Sequence, residues 1–287
     1  MKFGIIAPYA VGAVAEPRFA ATFARLVEGL GFESLWTVEH VVMAREYDSV
    51  YPYDPSGRSP FTADVAQPDP LIWLAYVAAA TERIRLATGV LILPQRNPLI
   101  LAKEAATLDR LSGGRLELGI GVGWVREESE ALGVGFDGRG KRADEWIQVM
   151  QTVWRERVAS FDGTYLRFRA VTCEPRPVQP GGIPIVVGGH SKAAARRAGR
   201  YGDGFYPLGV SAEKLSELRA IMTESAQAAG RDPRAIELTL LGMPDLAAAE
   251  SIAAQGAGRM IIAARDGDLA RLAKQLERFK VEVMERL

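Results

Sequence analysis

Along this chain, short runs of consecutive apolar residues alternate with longer stretches in which apolar residues recur every three or four positions. The first run, FGIIAP at 3–8, predicts a strand. Phe19, Phe23, Leu26, Val27 and Leu30 then fall at helical spacing over 17–30, with Pro17 where helices commonly start. A second strand is predicted at 34–38 (SLWTV). Residues 43–68 are rich in Pro, Asp, Tyr and Ser and carry no period. That predicts a long loop, of a size usually functional or disordered. Beyond it the pattern gives a helix over 69–81, a strand over 83–93, a helix over 98–111, a strand over 115–123, and helices over 125–132 and 139–157. Alternation around Asp162-Gly163 predicts a small β-hairpin insertion around 159–172. Strands at 183–189, 204–209, 236–242 and 259–264 complete the chain, with helices at 191–201, 211–229, 246–255 and 268–284.

Leaving the hairpin aside, there are eight strands, each followed by helix and nearly all apolar throughout. Strands without inward–outward alternation are buried on both faces, as in parallel sheets. Eight such units in one unbroken series predict an α/β fold of the (β/α)8 barrel type. A doubly wound open sheet is the alternative. No repeat, low-complexity tract or linker divides residues 1–287, so one domain is expected.

Composition narrows the function classes. Lys plus Arg equals Asp plus Glu, 35 of each, so no bulk charge favours nucleic acid or an anionic membrane as partner. The single cysteine, Cys173, excludes an intrachain disulfide and suits a reducing cytosol. The N-terminal apolar run breaks at Pro8, too early for a secretory signal, and no apolar stretch approaches the ~20 residues of a membrane span. A cytoplasmic location is expected.

In a βα barrel the chemistry sits at the C-terminal ends of the strands. The second strand ends in Glu39-His40, and the strand over 183–189 runs into Gly188-Gly189-His190-Ser191. Both histidines of the chain therefore fall on the expected catalytic rim. Glycines let a backbone approach a ligand closely, and the helix after Ser191 offers free N–H groups to an anion. Ser191 can equally be a plain helix cap. Arg196, Arg197 and Arg200 either attract phosphate or line a solvated helix face. In GIGVGW, glycines at 119, 121 and 123 either admit a flat ring or permit tight barrel packing, and Trp124 is a stacking wall or a rim residue of the core. Two histidines on separate strands, with no HxH or HExxH, make a poor metal site, so no metal is expected. Cys173 falls in the hairpin insertion, away from the rim, where it is expected to be inert.

Four blocks, LATGVLILPQRNPLILAKEAATLDRLSGGRLELGIGVGW (86–124), RGKRADEWIQVMQTVW (139–154), FDGTYLRF (161–168) and PIVVGGHSKAAARRAGRYGDGF (184–205), resemble in order the luciferase-like monooxygenase superfamily. The likeness covers nearly the whole chain and is strongest to the coenzyme F420-dependent oxidoreductase branch. It implies a luciferase-like barrel that binds the deazaflavin coenzyme F420, or alternatively FMN, at its mouth, acts on a small-molecule substrate and forms a homodimer. It implies that His40 faces the reactive ring as a catalytic residue, with Glu39 beside it. Gly89-Val90 matches a bulge, often a non-prolyl cis peptide, behind the ring. Gly123 and Trp124 match the rim beside the cofactor, and Gly188, Gly189, His190 and Ser191 the loop holding its phosphate. Asp109 and Arg115 are expected to form an ion pair joining helix to strand. In deazaflavin sugar-phosphate dehydrogenases an acid proposed to transfer a proton stands where this chain has Trp124. Acids return only at Glu127 and Glu128, so a sugar phosphate is not the expected substrate. Three functions follow: a deazaflavin oxidoreductase, a monooxygenase using reduced FMN and oxygen, or a non-catalytic flavin- or deazaflavin-binding barrel.

Overall fold

The computed structural model describes residues 1–59 and 61–287. Its first strand, β1 (Lys2–Ile6), is followed by α1 (Pro17–Leu30) and β2 (Ser34–Thr37). A strap whose described residues form no helix or strand leads to α2 (Pro70–Ala78), and Pro60 of that predicted loop lies outside the described residues. Next come β3 (Arg85–Thr88), β4 (Leu91–Ile92), α3 (Pro98–Leu111), β5 (Leu116–Gly121), α4 (Arg126–Ala131) and α5 (Arg139–Arg155). The hairpin β6 (Ala159–Asp162) and β7 (Arg167–Val171) precedes β8 (Ile185–Gly188), α6 (Lys192–Tyr201), β9 (Gly204–Tyr206), α7 (Ala212–Ala228), β10 (Glu237–Leu241), α8 (Leu246–Ala254), β11 (Arg259–Ala263) and α9 (Leu269–Glu282).

Apart from the antiparallel β6–β7 pair, every strand pairing among the described residues is parallel. The strands run β3-β2-β1-β11-β10-β9-β8-β5, and β3 pairs with β5 to close the circle. β4 also pairs with β5, so β3 and β4 are two halves of one barrel strand, and the barrel has eight staves. The break between the halves is Gly89-Val90, a cis peptide. The family resemblance implied a cis peptide at this position, whereas the apolar run over 83–93 alone gives no sign of it.

Amphipathic helices wrap the barrel. α1, for example, buries Phe19, Phe23 and Val27 on one face, and Gly31 in the left-handed region ends it. Inside the barrel, Trp36, Ala87, Val186, Tyr206 and Ile261 pack together, so the interior is filled rather than hollow. Beneath them, at the N-terminal end, the buried Arg259 guanidinium bonds Glu33 and Glu117 at 2.9–3.0 Å, and Glu117 also takes Arg85. Arg259 also lies 5.4 Å from the Trp36 ring centre. This charged plug carries no periodicity and belongs to the rim that stabilises such barrels.

The glycines of GIGVGW resolve toward close packing. A side chain at Gly119 would begin 1.7 Å from the Thr88 carbonyl oxygen, and one at Gly121 would begin 2.5 Å from Val90 Cγ2. The neighbouring strand fills that space. Gly119→Ala should therefore cost more than about 3 kcal/mol, because backbone rather than a movable side chain must yield. Chemical denaturation of the variant measures it, and a loss below about 1 kcal/mol would contradict the packing argument.

The expected Asp109–Arg115 ion pair does not form. Arg115 donates to Thr81 Oγ1 and to the carbonyls of Ala78, Thr81, Ile84 and Ser112, satisfying acceptors at and beyond the ends of α2 and α3. Asp109, fully buried, accepts from Val178 N, Gln179 N and Gln179 Nε2 instead. Arg197 does not line the solvated face that was one alternative for it. It is buried against Asp144 and the Gly140 carbonyl, while Arg196 and Arg200 are exposed.

Candidate active site

The strands deliver their C-terminal residues to one rim. Beyond β2, Glu39 and His40 part company. The His40 imidazole is almost fully buried, with Nδ1 3.0 Å from Glu128 Oε2. Glu128 lies in α4, four residues beyond Trp124, and its other oxygen accepts Val41 N–H at 2.7 Å and Val42 N–H at 3.4 Å. Trp124 stands edge-on to His40, ring centres 5.9 Å apart at 89°.

Glu39, expected beside His40 as a catalytic residue, is committed elsewhere. Its buried carboxylate accepts the Ile92 N–H and two bonds from the Arg96 guanidinium. Burial pushes this carboxyl above its usual range, opposed by Arg96. Arg96 also reaches Asp69 Oδ2 at 2.6 Å. Asp69 in turn caps α2, accepting Leu71 N–H and Ile72 N–H. It stays below the usual carboxylate range despite partial burial, held there by Arg96 and the helix N–H groups. The strap between Glu39 and Asp69 is thus gripped at both feet by one guanidinium.

That strap lies over the mouth as a chain of edge-packed aromatics. Tyr47 and Tyr51 stand 5.5 and 5.1 Å from Trp124, Tyr53 stands 5.4 Å from Tyr51, and His190 stands 5.0 Å from Tyr53. The line runs from His40 beyond β2 to His190 beyond β8. Burial, then the neighbouring Tyr51, pushes the Tyr53 hydroxyl up to about 12, so it stays neutral. Glu127, beside Glu128, anchors the strap through Ser49 Oγ and the N–H groups of Asp48 and Ser49. The Ser49 hydroxyl foremost, and those N–H groups, hold Glu127 near about 2. A depressed carboxyl contributes its anchoring above the unfolded value of 4.5 and loses it as pH falls toward about 2. Glu127→Gln should accordingly speed amide exchange at Asp48 and Ser49 at neutral pH. Exchange indistinguishable from wild type would show that the strap is held by other contacts.

On the far side, Gly189 occupies φ +113°, a conformation glycine alone adopts readily, and turns β8 into α6. Ser191 is the helix cap, its Oγ accepting Ala194 N–H at 3.1 Å. By helix geometry, the N–H groups of Lys192 and Ala193 have no intrahelical acceptor. His190 Nδ1 is buried without a hydrogen-bond partner among the described residues. Burial, and behind it the Lys214 ammonium, lowers the His190 pKa and favours the neutral ring. Both amide atoms of Gln95, just beyond β4, are likewise buried and unpartnered among the described residues. Between the two sides, Val90 is seated where side chains at Gly121 and Gly188 would be. Gly123, with φ +76°, turns β5 toward Trp124.

The match of a family model described as luciferase-like monooxygenase to residues 1–286 decides the family. The chain belongs to the luciferase-like monooxygenase family. Among relatives of this luciferase-like enzyme, an uncharacterized Mycobacterium tuberculosis protein is 35% identical over 213 residues, covering 74% of this chain and 73% of that protein. The F420-dependent glucose-6-phosphate dehydrogenase of Kineococcus radiotolerans is 34% identical over 230 residues, covering 78% of this chain and 63% of that protein. In fold, the chain is similar to the monooxygenase RslO1 of Streptomyces bottropensis, with a TM-score of 0.81, 24% identity, and coverage of 100% of this chain and 99% of the other.

The structure brings together His40, Trp124, the strap tyrosines and His190, and it separates Glu39 from them. Glu128 and Arg96 are the residues that sequence reasoning passed over. Glu128 was visible only as one of two adjacent acids. Arg96 carried no signal beyond its place between Gln95 and Asn97. Among the described residues, no group of His, Cys, Asp and Glu could hold a metal ion, and no helix is long and apolar enough to cross a membrane. Cys173 lies just beyond β7, half-buried, where burial raises its thiol pKa.

Proposed function

We propose that this chain is an oxidoreductase that binds coenzyme F420 at the barrel mouth and moves a hydride between it and a small organic substrate. The observation that carries the reading is His40. It is a buried imidazole oriented by a buried carboxylate, at a strand end, inside an aromatic enclosure that leads to the Gly188–Ser191 turn. Similarity to an F420-dependent dehydrogenase supports the deazaflavin over FMN.

The residues present fit such a group. The buried, unpartnered His190 Nδ1 and the first N–H groups of α6 would hold a phosphate. Val90, on its bed of Gly121 and Gly188, would support the ring from behind. Bound there, the cofactor supplies the hydride chemistry; the protein supplies orientation, polarity and dryness. His40 holds or moves the proton that accompanies hydride transfer, a task suited to imidazole near neutral pH. Trp124, Tyr47, Tyr51 and Tyr53 wall the site against water and offer a stacking surface to the substrate. Glu39 positions rather than reacts, tying the Ile92 backbone to Arg96.

Fluorescence titration with coenzyme F420 and with FMN tests this reading. Saturable binding of the deazaflavin, tighter than that of FMN, is expected. Tight binding of FMN with none of the deazaflavin would overturn the cofactor assignment.

A further inference from the structure

We infer that Glu128 is a positioning residue that selects the tautomer of His40, and so decides which ring nitrogen faces the barrel mouth. The inference rests on the reading of His40 as the working group. Glu128 has no exposed side-chain surface, and His40 exposes 8% of its own. One carboxylate oxygen lies 3.0 Å from His40 Nδ1, and the other is occupied by the Val41 and Val42 N–H groups. A carboxylate can only accept hydrogen bonds. Nδ1 therefore carries the proton and donates it to Glu128, which leaves Nε2 with a free lone pair. That lone pair can take a proton from a substrate hydroxyl, or return one after Nε2 has been protonated.

The geometry allows little slack. The two backbone donors fix the rotation of the carboxylate, and the edge-on Trp124 fixes the plane of the imidazole. The same short helix carries Glu127, which anchors the strap through Ser49. Histidine and cover are thus registered to one another through adjacent residues of α4. This also accounts for the departure at Trp124. The acid absent from that position acts four residues later, through His40.

Glutamine is the informative replacement. A glutamine side chain has one acceptor oxygen and one NH2 group. At position 128 the oxygen is claimed by the Val41 and Val42 N–H groups, so the NH2 faces His40 Nδ1. Nδ1 must then accept, and the ring proton moves to Nε2. The tautomer inverts while the shape of the site is kept.

Because the chain has only two histidines, ring-nitrogen NMR of protein labelled with 15N-histidine reads this directly, with His190→Gln identifying the His40 signals. The spectra are taken at a pH alkaline enough for both rings to be neutral. The wild type is expected to show a protonated Nδ1 and an unprotonated Nε2 at His40. Glu128→Gln is expected to show the reverse, and Glu128→Asp to return toward the wild-type pattern. A wild-type His40 protonated at Nε2, or an unchanged pattern in Glu128→Gln, would overturn the proposal and leave Glu128 as an anchor for the backbone alone. The wild-type spectrum decides even if the variant does not fold. The same wild-type sample, titrated with coenzyme F420 and FMN, separates this outcome from the functional reading: binding of neither beside an intact Nδ1–H pattern would sink the function and leave the positioning role standing.

Discussion

Arg96→Ala should destabilise the protein by about 3–5 kcal/mol, because it leaves the Glu39 carboxylate buried without its counter-charge. In a chain of this size that lowers the melting temperature by on the order of 10 °C. The guanidinium is nearly enclosed, bonds Glu39 and Asp69 and lies 3.8 Å from Glu104 Oε2, whereas the Trp146 Nε1 bond to the Arg96 backbone carbonyl survives the substitution. Despite partial burial, Glu39 and Asp69 hold the Arg96 pKa above its ordinary value. A second variant isolates the charge. In Arg96→Ala/Glu39→Gln, the glutamine oxygen still accepts the Ile92 N–H and no buried charge remains. Most of the loss should return, and the double-mutant cycle should report strong coupling. The sign of the pH dependence follows from the raised Glu39 carboxyl. The folded state retains that proton above 4.5, where the unfolded chain gives it up, so stability falls as pH rises past 4.5. The deficit of Arg96→Ala should therefore shrink toward acid. Denaturant titrations at several pH values check both statements, and a deficit independent of pH would show that Arg96 acts through packing alone.

His40→Ala should reduce turnover about 10²–10⁴-fold, the usual contribution of a positioned acid–base group. Binding of the cofactor should change less, because its phosphate and the back of its ring would rest on other groups, the Gly188–Ser191 turn and Val90. The comparison needs two readouts on the same preparation: single-turnover rate on a substrate the wild type converts, and cofactor affinity. A rate equal to wild type would remove His40 from the chemistry. A parallel collapse of both readouts would make it a cofactor ligand instead.

Much of this architecture was legible in the chain. α1 and α3 end where their apolar periods end, at 17–30 and 98–111, because proline starts and amphipathic stripes are local signals. The eight buried strands announced themselves by lacking alternation, and Asp162-Gly163 marked the hairpin. Positions on the rim followed from strand ends alone, which placed His40 and His190. What stayed hidden was set by partners remote in sequence. Glu39 and His40 are adjacent, yet one meets Arg96 and the other meets Glu128, 57 and 88 residues away respectively. Glu127 and Glu128 share one short helix whose six residues carry no readable period, so which of them faced inward was undetermined. Arg115 meets the Ala78, Thr81 and Ile84 carbonyls between α2 and β3, which no charge pattern could indicate. The glycines of GIGVGW were ambiguous for a related reason: the atoms that fill their space belong to Thr88 and Val90 of the neighbouring strand.

The most direct test of the central claim is a structure of the protein with coenzyme F420 bound. The account predicts the deazaflavin ring in the barrel mouth, its back face on Val90, its phosphate at the Gly188–Ser191 turn, and His40 Nε2 on the side of the ring left open to substrate. A ring bound elsewhere, or bound at the mouth with His40 turned away from it, would contradict the account.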